Sequence, residues 1–194
     1  MKRLILFDFD GTLTTQDSML KLFRYRNGDF KYLLGFLIHF PFLVMMQFGF
    51  VSSKRAKEKL LAFHFSGLSI HEFNSYCKSF AEEVIPHIVR SNAMEKIHEY
   101  QKTGDRVVVI TASLENWVKP WTDQIGIELI GTRLKKESGL FDGKIGKNCK
   151  GLEKVNRLKT YLDIISYDEI IAFGDTRGDR EMLELADKSY YRYF

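Results

Sequence analysis

Cysteine is scarce in this 194-residue chain. Cys77 and Cys149 lie far apart, outside any C-x-x-C. That argues against a disulfide framework or structural zinc and fits a reduced, cytoplasmic protein. There are three prolines, and no Gly/Ser linker, internal repeat or low-complexity tract. The five histidines form no H-E-x-x-H. Lys and Arg are scattered, the net charge is only +4, and no run of five or six like charges occurs. Nucleic acid is therefore not the expected partner. The apolar start ends after Phe7 at Asp8, too short for a signal-peptide h-region, so no export is expected.

Apolar content is not lacking: 45% of residues are hydrophobic, enough for a packed core. Arg3 to Phe9, "RVVVIT" at 106–111 and "EIIAFGD" at 169–175 read as strands apolar on both faces, as in the middle of a parallel sheet. "IELIG" at 127–131 is a shorter candidate, and "SYYRYF" at the end a candidate edge strand. Helical spacing runs over 90–103, 115–125, 151–162 and 177–186. This alternation predicts a parallel α/β sheet covered on both faces. The glycine-rich stretch 131–151 predicts a β-hairpin. Residues 18–85 are helical throughout and exceed what a crossover needs. They read as a helical cap inserted after the first strand, over a core of 1–17 and 86–194.

Asp8 and Asp10 end the first strand. Residues two apart in a strand point the same way, so both carboxylates are expected to project together. Such a pair needs a cation or a shared proton, and a hard cation such as Mg²⁺ suits it. "FGDTRGD" places Asp175 and Asp179 in a turn after another apolar strand, with Asp175 in reach of the same cation and Asp179 able to hold one of its waters. Thr111 closes "VVVIT", and its hydroxyl with the backbone N–H groups of Ala112 and Ser113 can hold phosphate oxygens. Lys154, near the start of a helix, can neutralise an acidic nucleophile and a phosphate together. Each signal alone has an ordinary explanation as a turn, cap or surface residue; their coincidence carries the weight.

In order, D-x-D-G-T, a strand-end Thr, a helical Lys and G-D-x-x-x-D resemble the haloacid dehalogenase-like (HAD) superfamily of phosphohydrolases. The likeness covers the whole chain. It implies a Rossmann-like core with a helical cap. It further implies Asp8 as the nucleophile, becoming an aspartyl-phosphate, and Asp10 as general acid and then base. Thr111, Ala112 and Lys154 would bind the phosphoryl group. Asp8, the Asp10 backbone carbonyl and Asp175 would hold Mg²⁺, with Asp179 supporting. The second acid bears on the reaction type: an alkoxide leaving group needs protonation and a halide does not, so Asp10 favours phosphate ester hydrolysis. The layout is similar to the phosphoserine phosphatase-like branch, subfamily IB, with departures. Thr111-Ala112-Ser113 stands where that branch usually has Ser-Gly-Gly, and Gly178 where it has Asn. Asp17 stands where a cap Glu receives the substrate amine. Asp17, Ser113 and Arg55 are the candidate substrate contacts.

"FKYLLGFLIHFPFLVMMQFGFV", residues 30–51, has a single charge, Lys31, beside His39 and Gln47. Its length would permit a transmembrane helix. A single span would put the rest of the cap and the core on opposite sides of the bilayer. Pro41 is expected to break the run into halves of about 15 Å each. Three readings stay open: packing within the cap or against a second subunit, an interfacial hairpin peripheral to the inner face of a membrane, or an apolar pocket. The last two favour a lipid phosphate, and HAD-type bacterial phosphatidylglycerophosphatases resemble this layout. The basic cluster "SSKRAKEK" at 52–59 would suit an anionic headgroup. The expected activity is thus a Mg²⁺-dependent phosphomonoesterase on a small-molecule or lipid phosphate. Its rivals are a phosphomutase of the same architecture and a non-catalytic binding module.

Overall fold

The computed structural model describes all residues from Met1 to Phe194. Five parallel strands form one sheet: β1 (Arg3–Phe7), β2 (Arg106–Leu114), β3 (Glu128–Thr132), β4 (Glu169–Gly174) and β5 (Lys188–Tyr191), in the spatial order β3-β2-β1-β4-β5. β1 is central; Phe7 pairs with Val109 on one side and Phe173 on the other. Strand alternation divides the core. Ile5, Phe7, Val109 and Phe173 face one apolar cluster, and Leu4, Leu6, Val108 and Ala172 face a second. The order expected from sequence, an α/β parallel sheet, is the one found.

Helices α1 (Ser18–Gln47), α2 (Ser53–Phe65) and α3 (Ile70–Glu83) stand between β1 and the return path through α4 (Ile85–Ile88) and α5 (Ser91–Lys102). α6 (Glu115–Gln124), α7 (Leu152–Tyr161) and α8 (Arg180–Leu185) cover the sheet. The apolar cluster under β1 continues without a gap into Phe23, Leu61, Phe65 and Phe73 of α1–α3. The inserted helices therefore share the core's apolar interior.

Three expectations need correction. Pro41 does not break the apolar run; α1 continues through it and kinks instead at Gly28, with φ +70° and ψ 175°. Only glycine takes that conformation cheaply. Pro41 is exposed, so water can satisfy the carbonyl that its missing N–H leaves free. The 131–151 hairpin is reduced to an isolated antiparallel bridge, Leu134 with Ile145. Its tip pairs with the cap instead: the Ile70 N–H donates to the Gly139 carbonyl at 2.9 Å, and the Phe141 N–H to that of Leu68 at 2.8 Å. Phe141 packs its ring against Phe65 and Phe73, which draws the tip away from a regular ladder. The last strand is Lys188–Tyr191. Beyond it the chain turns at Arg192, φ +54°, and lays Phe194 against Phe173.

Candidate active site

β1 ends at Phe7, one residue before the first acid. The Asp8 N–H still donates to the Phe173 carbonyl at 2.9 Å, but Phe9–Leu13 form an irregular turn. Asp8 and Asp10 face the same cleft but take different hydrogen-bond partners. The ammonium of Lys154, from the first turn of α7, donates to Asp8 Oδ1 and, at 2.6 Å, to Asp179 Oδ1. All three side chains are buried. One cation thus faces two carboxylates. Burial, with the charges of Asp179 and Asp10, pushes the Asp8 carboxyl up to about 7 despite the ammonium beside it. Burial alone would lower Lys154; the two carboxylates outweigh it and raise it instead. Asp179 is held below the usual range because Lys154 and its hydrogen bonds outweigh its own burial.

Asp10 takes a different set of partners. Its Oδ1 accepts from the Ser18 N–H at 2.6 Å, at the start of α1, and its Oδ2 from the Ser113 hydroxyl at 2.5 Å. Ser18 is itself fixed by the Trp117 indole N–H, 3.0 Å from its hydroxyl oxygen. Asp10 is thereby clamped between the cap's first residue and the end of β2.

Asp175 follows β4 and accepts from the Thr12 hydroxyl at 3.1 Å. Its carboxyl is raised, by burial first. Gly11 makes the approach possible: at φ +87°, a Cβ there would lie 2.4 Å from Asp175 Oδ2. Asp179 turns its Oδ2 back to the N–H of Thr176 at 2.9 Å and its hydroxyl at 2.8 Å, holding this turn rigid. One carboxylate oxygen each from Asp8, Asp175 and Asp179 lies within 4.8 Å of the others. Three carboxylates against a single ammonium leave an excess of negative charge that an all-oxygen site offers to a hard divalent cation. These residues fit Mg²⁺. The Asp10 carboxylate is not part of the group.

A cleft of about 210 Å³ opens here, lined by Asp8, Asp10, Thr111, Lys154, Gly178 and Asp179 among others. Thr111 is buried inside β2, which runs on to Leu114 before α6 begins. Its hydroxyl oxygen accepts the Ser113 N–H at 3.0 Å, so that N–H is already spent inside the protein. Ser113 serves to hold Asp10. Ala112 is in the cleft wall, and its carbonyl accepts from the Lys57 ammonium at 2.7 Å. Asp17 caps α1 through the Leu20 N–H at 3.0 Å and stands at the rim. Desolvation, and then the Asp10 charge, pushes its carboxyl up to about 6. Arg55 is misplaced by the sequence reading: it is exposed, on the outer side of α2, away from the cleft. The cap cation that enters is Lys57, where burial lowers the ammonium against the pull of Asp10 and Asp17. Sequence held a signal for it, since Lys57 shares the i, i+3, i+4, i+7 face with Leu60, Leu61 and His64, which are buried.

A family model described as haloacid dehalogenase-like hydrolase matches residues 5–184. The chain belongs to this family. Protein CicA of Caulobacter vibrioides (strain NA1000 / CB15N) is 34% identical to this HAD hydrolase over 198 residues, covering 98% of this chain and 86% of that one. Among solved structures, a protein with unknown function from Bordetella pertussis Tohama I superposes with a TM-score of 0.83 at 23% identity, covering 97% of this chain and 89% of that one. A phospho-aspartyl intermediate analogue of phosphoserine phosphatase superposes with a TM-score of 0.69 at 22% identity, covering 97% and 85%. These likenesses show a shared fold that extends over nearly the whole chain, the helices between β1 and β2 included.

Proposed function

We propose that the protein is a Mg²⁺-dependent phosphomonoester hydrolase that works through an aspartyl-phosphate on Asp8. The observation that carries this is the division of labour between the two acids. Asp8 lies beside the Lys154 ammonium and two further carboxylates, while Asp10, in the same cleft, is held by Ser18 and Ser113. A nucleophile and a proton carrier need such different settings. Bound Mg²⁺ would supply positive charge to the phosphoryl oxygens, held by Asp8, Asp175 and the Asp10 backbone carbonyl with Asp179 in support.

In the first half, an Asp8 carboxylate oxygen attacks phosphorus and the P–O bond to the leaving group breaks. Asp10 gives its proton to that departing oxygen. Lys154 and the Thr111 hydroxyl balance charge on the phosphoryl group. In the second half, Asp10 takes a proton from water as the water oxygen attacks the aspartyl-phosphate. Phosphate leaves, and Asp8 and Asp10 return to their starting states. The substrate is a phosphate monoester, with either a small polar alcohol or a lipid headgroup as the leaving group.

The test is phosphate release from phosphoserine, sugar phosphates, phosphocholine, lysophosphatidic acid and phosphatidylglycerophosphate, with Mg²⁺ and with EDTA. Release with Mg²⁺ and its loss in EDTA are expected. Asp8→Asn should lower turnover by about 10³-fold or more while the protein stays folded, because it removes one charge from a buried excess of negative charge. Retained hydrolysis in that variant refutes the covalent route. A hydroxylamine-sensitive phosphoryl label on Asp8 without phosphate release would assign the phosphomutase instead.

A further inference from the structure

The half of α1 beyond its Gly28 kink has almost no cover. Phe30, Leu33, Leu37, Ile38 and Met45 are all exposed and recur at i, i+3, i+7, i+8 and i+15, the spacing of one helix face. Leu37 is 71% exposed and Phe30 82%. Of this half only Gly35 is buried, against His64 of α2. Packing inside the cap, one of the readings left open by sequence, does not cover the strip. α1 is long and apolar enough to cross a membrane by length and composition. Its ends forbid a crossing. Asp17, at its start, and Lys57, just past its return into α2, line the same cleft. A span would place them on opposite sides of the bilayer.

Charge decides between the remaining occupants. Between Asp29 and Glu58 there is no acidic residue, and Lys31, Lys54, Arg55 and Lys57 are all cationic. The Lys59 ammonium also stands 4.8 Å over the Phe42 ring, bordering the strip. A second copy pairing symmetrically through this face would bring Lys31, Arg55 and Lys59 of each copy together, with only the largely buried Glu58, 4.0 Å from Lys54, to offset them. An apolar strip with cations along its border matches the acyl–headgroup boundary of an anionic bilayer. We infer that the outer face of α1 from Phe30 onward, with Phe48 just beyond its end, lies flat in the surface of an anionic membrane with Lys31, Lys54 and Arg55 at headgroup level. Lys57 is four residues from Ser53, about 6 Å of helix rise. The docked face therefore ends beside the mouth of the cleft, and phosphate monoesters borne by lipids would be presented to it.

The test is co-sedimentation of the whole protein with phosphatidylcholine vesicles and with vesicles of phosphatidylcholine and phosphatidylglycerol in about equal parts. It is run without Mg²⁺ or substrate, so its outcome is independent of the phosphatase reading. Binding to the anionic vesicles is expected, weakened by salt. Leu37→Asp should reduce the partition coefficient about tenfold or more, with unchanged circular dichroism because the side chain is exposed. The pair Lys54→Gln and Arg55→Gln should weaken binding to the anionic vesicles alone. Wild-type protein left in the supernatant with both vesicle types overturns the inference. If sedimentation velocity then shows a dimer that Leu37→Asp dissociates, the face belongs to a second copy.

Discussion

At the scale of single residues, the two lysines of the cleft separate what sequence motifs reveal from what they hide. Lys154 sits in a recognisable place because it must neutralise Asp8. Lys57 follows no motif and was masked by its basic neighbours in "SSKRAKEK". Its one signal is the helical face it shares with the buried Leu60, Leu61 and His64, which sets it apart from Lys54, Arg55 and Lys59. Its ammonium reaches the Ala112 carbonyl at 2.7 Å and the Asn148 side-chain oxygen at 3.4 Å, from the cap side of the cleft. In the proposed reaction, a group there would meet the leaving group rather than the reacting phosphorus. Lys57→Ala is therefore expected to raise KM about tenfold with a smaller effect on kcat. Arg55→Ala, outside the cleft, should change kcat/KM less than about twofold. Steady-state kinetics on the best phosphate ester checks both, and equal effects from the two substitutions would contradict this placement. Asp8 and Asp10 show a different limit. Their types, spacing and shared cleft were legible, but their separate partners were not, because those come from α1, β2 and α7, which sequence spacing does not bring together.

At the scale of elements, the α1–α2 contact depends on one glycine and one buried histidine. A Cβ at Gly35 would lie 2.7 Å from His64 Nε2 and 2.9 Å from Phe63 Cε1. Gly35→Ala should force the helices apart and cost about 1–3 kcal/mol, read as a lower urea midpoint. His64 stacks on Phe23, and its Nδ1 accepts from the Asn27 amide at 3.2 Å. Burial first, and then the charges of Lys31 and His39, push it down to about 4. Unfolded, it titrates near 6.5. Between those values the unfolded chain binds the extra proton, so His64's contribution is complete above about pH 6.5 and is lost as pH falls. It should cost roughly 2 kcal/mol between pH 7 and pH 5. His64→Leu removes this slope, so the difference in urea stability between wild type and variant should shrink by that amount over the same range. A constant difference would show that His64 does not titrate as described. None of this packing was readable beforehand. Helical spacing gave the helices, but the kink at Gly28 and the continuity through Pro41 depend on which side of α1 meets α2.

At the scale of the whole molecule, the cap boundary at residues 18–85 marks a change of topology without a break in the core. Alternating strands and helices made the sheet legible, and the surplus between β1 and β2 made the cap legible. That the two share one apolar interior was not, because sequence spacing says which face of an element is apolar but not what it meets. Ile5 and Phe7 of β1 belong to the same buried cluster as Phe23, Leu61 and Phe73 of the inserted helices. Polar contacts also join them: Trp117 of α6 donates its indole N–H to Ser18 of α1 at 3.0 Å, and Ser18 donates its backbone N–H to Asp10. Detaching the cap would expose that cluster and free Asp10 together, so the cap has no low-energy route to unfolding alone. Urea unfolding should then be a single transition. Tryptophan fluorescence, which senses the buried Trp117 at this junction, should share its midpoint with far-ultraviolet circular dichroism, which senses all helices. A fluorescence change at lower urea than the loss of helix would mean the cap separates first, and Asp10 would then lose its clamp before the sheet gives way.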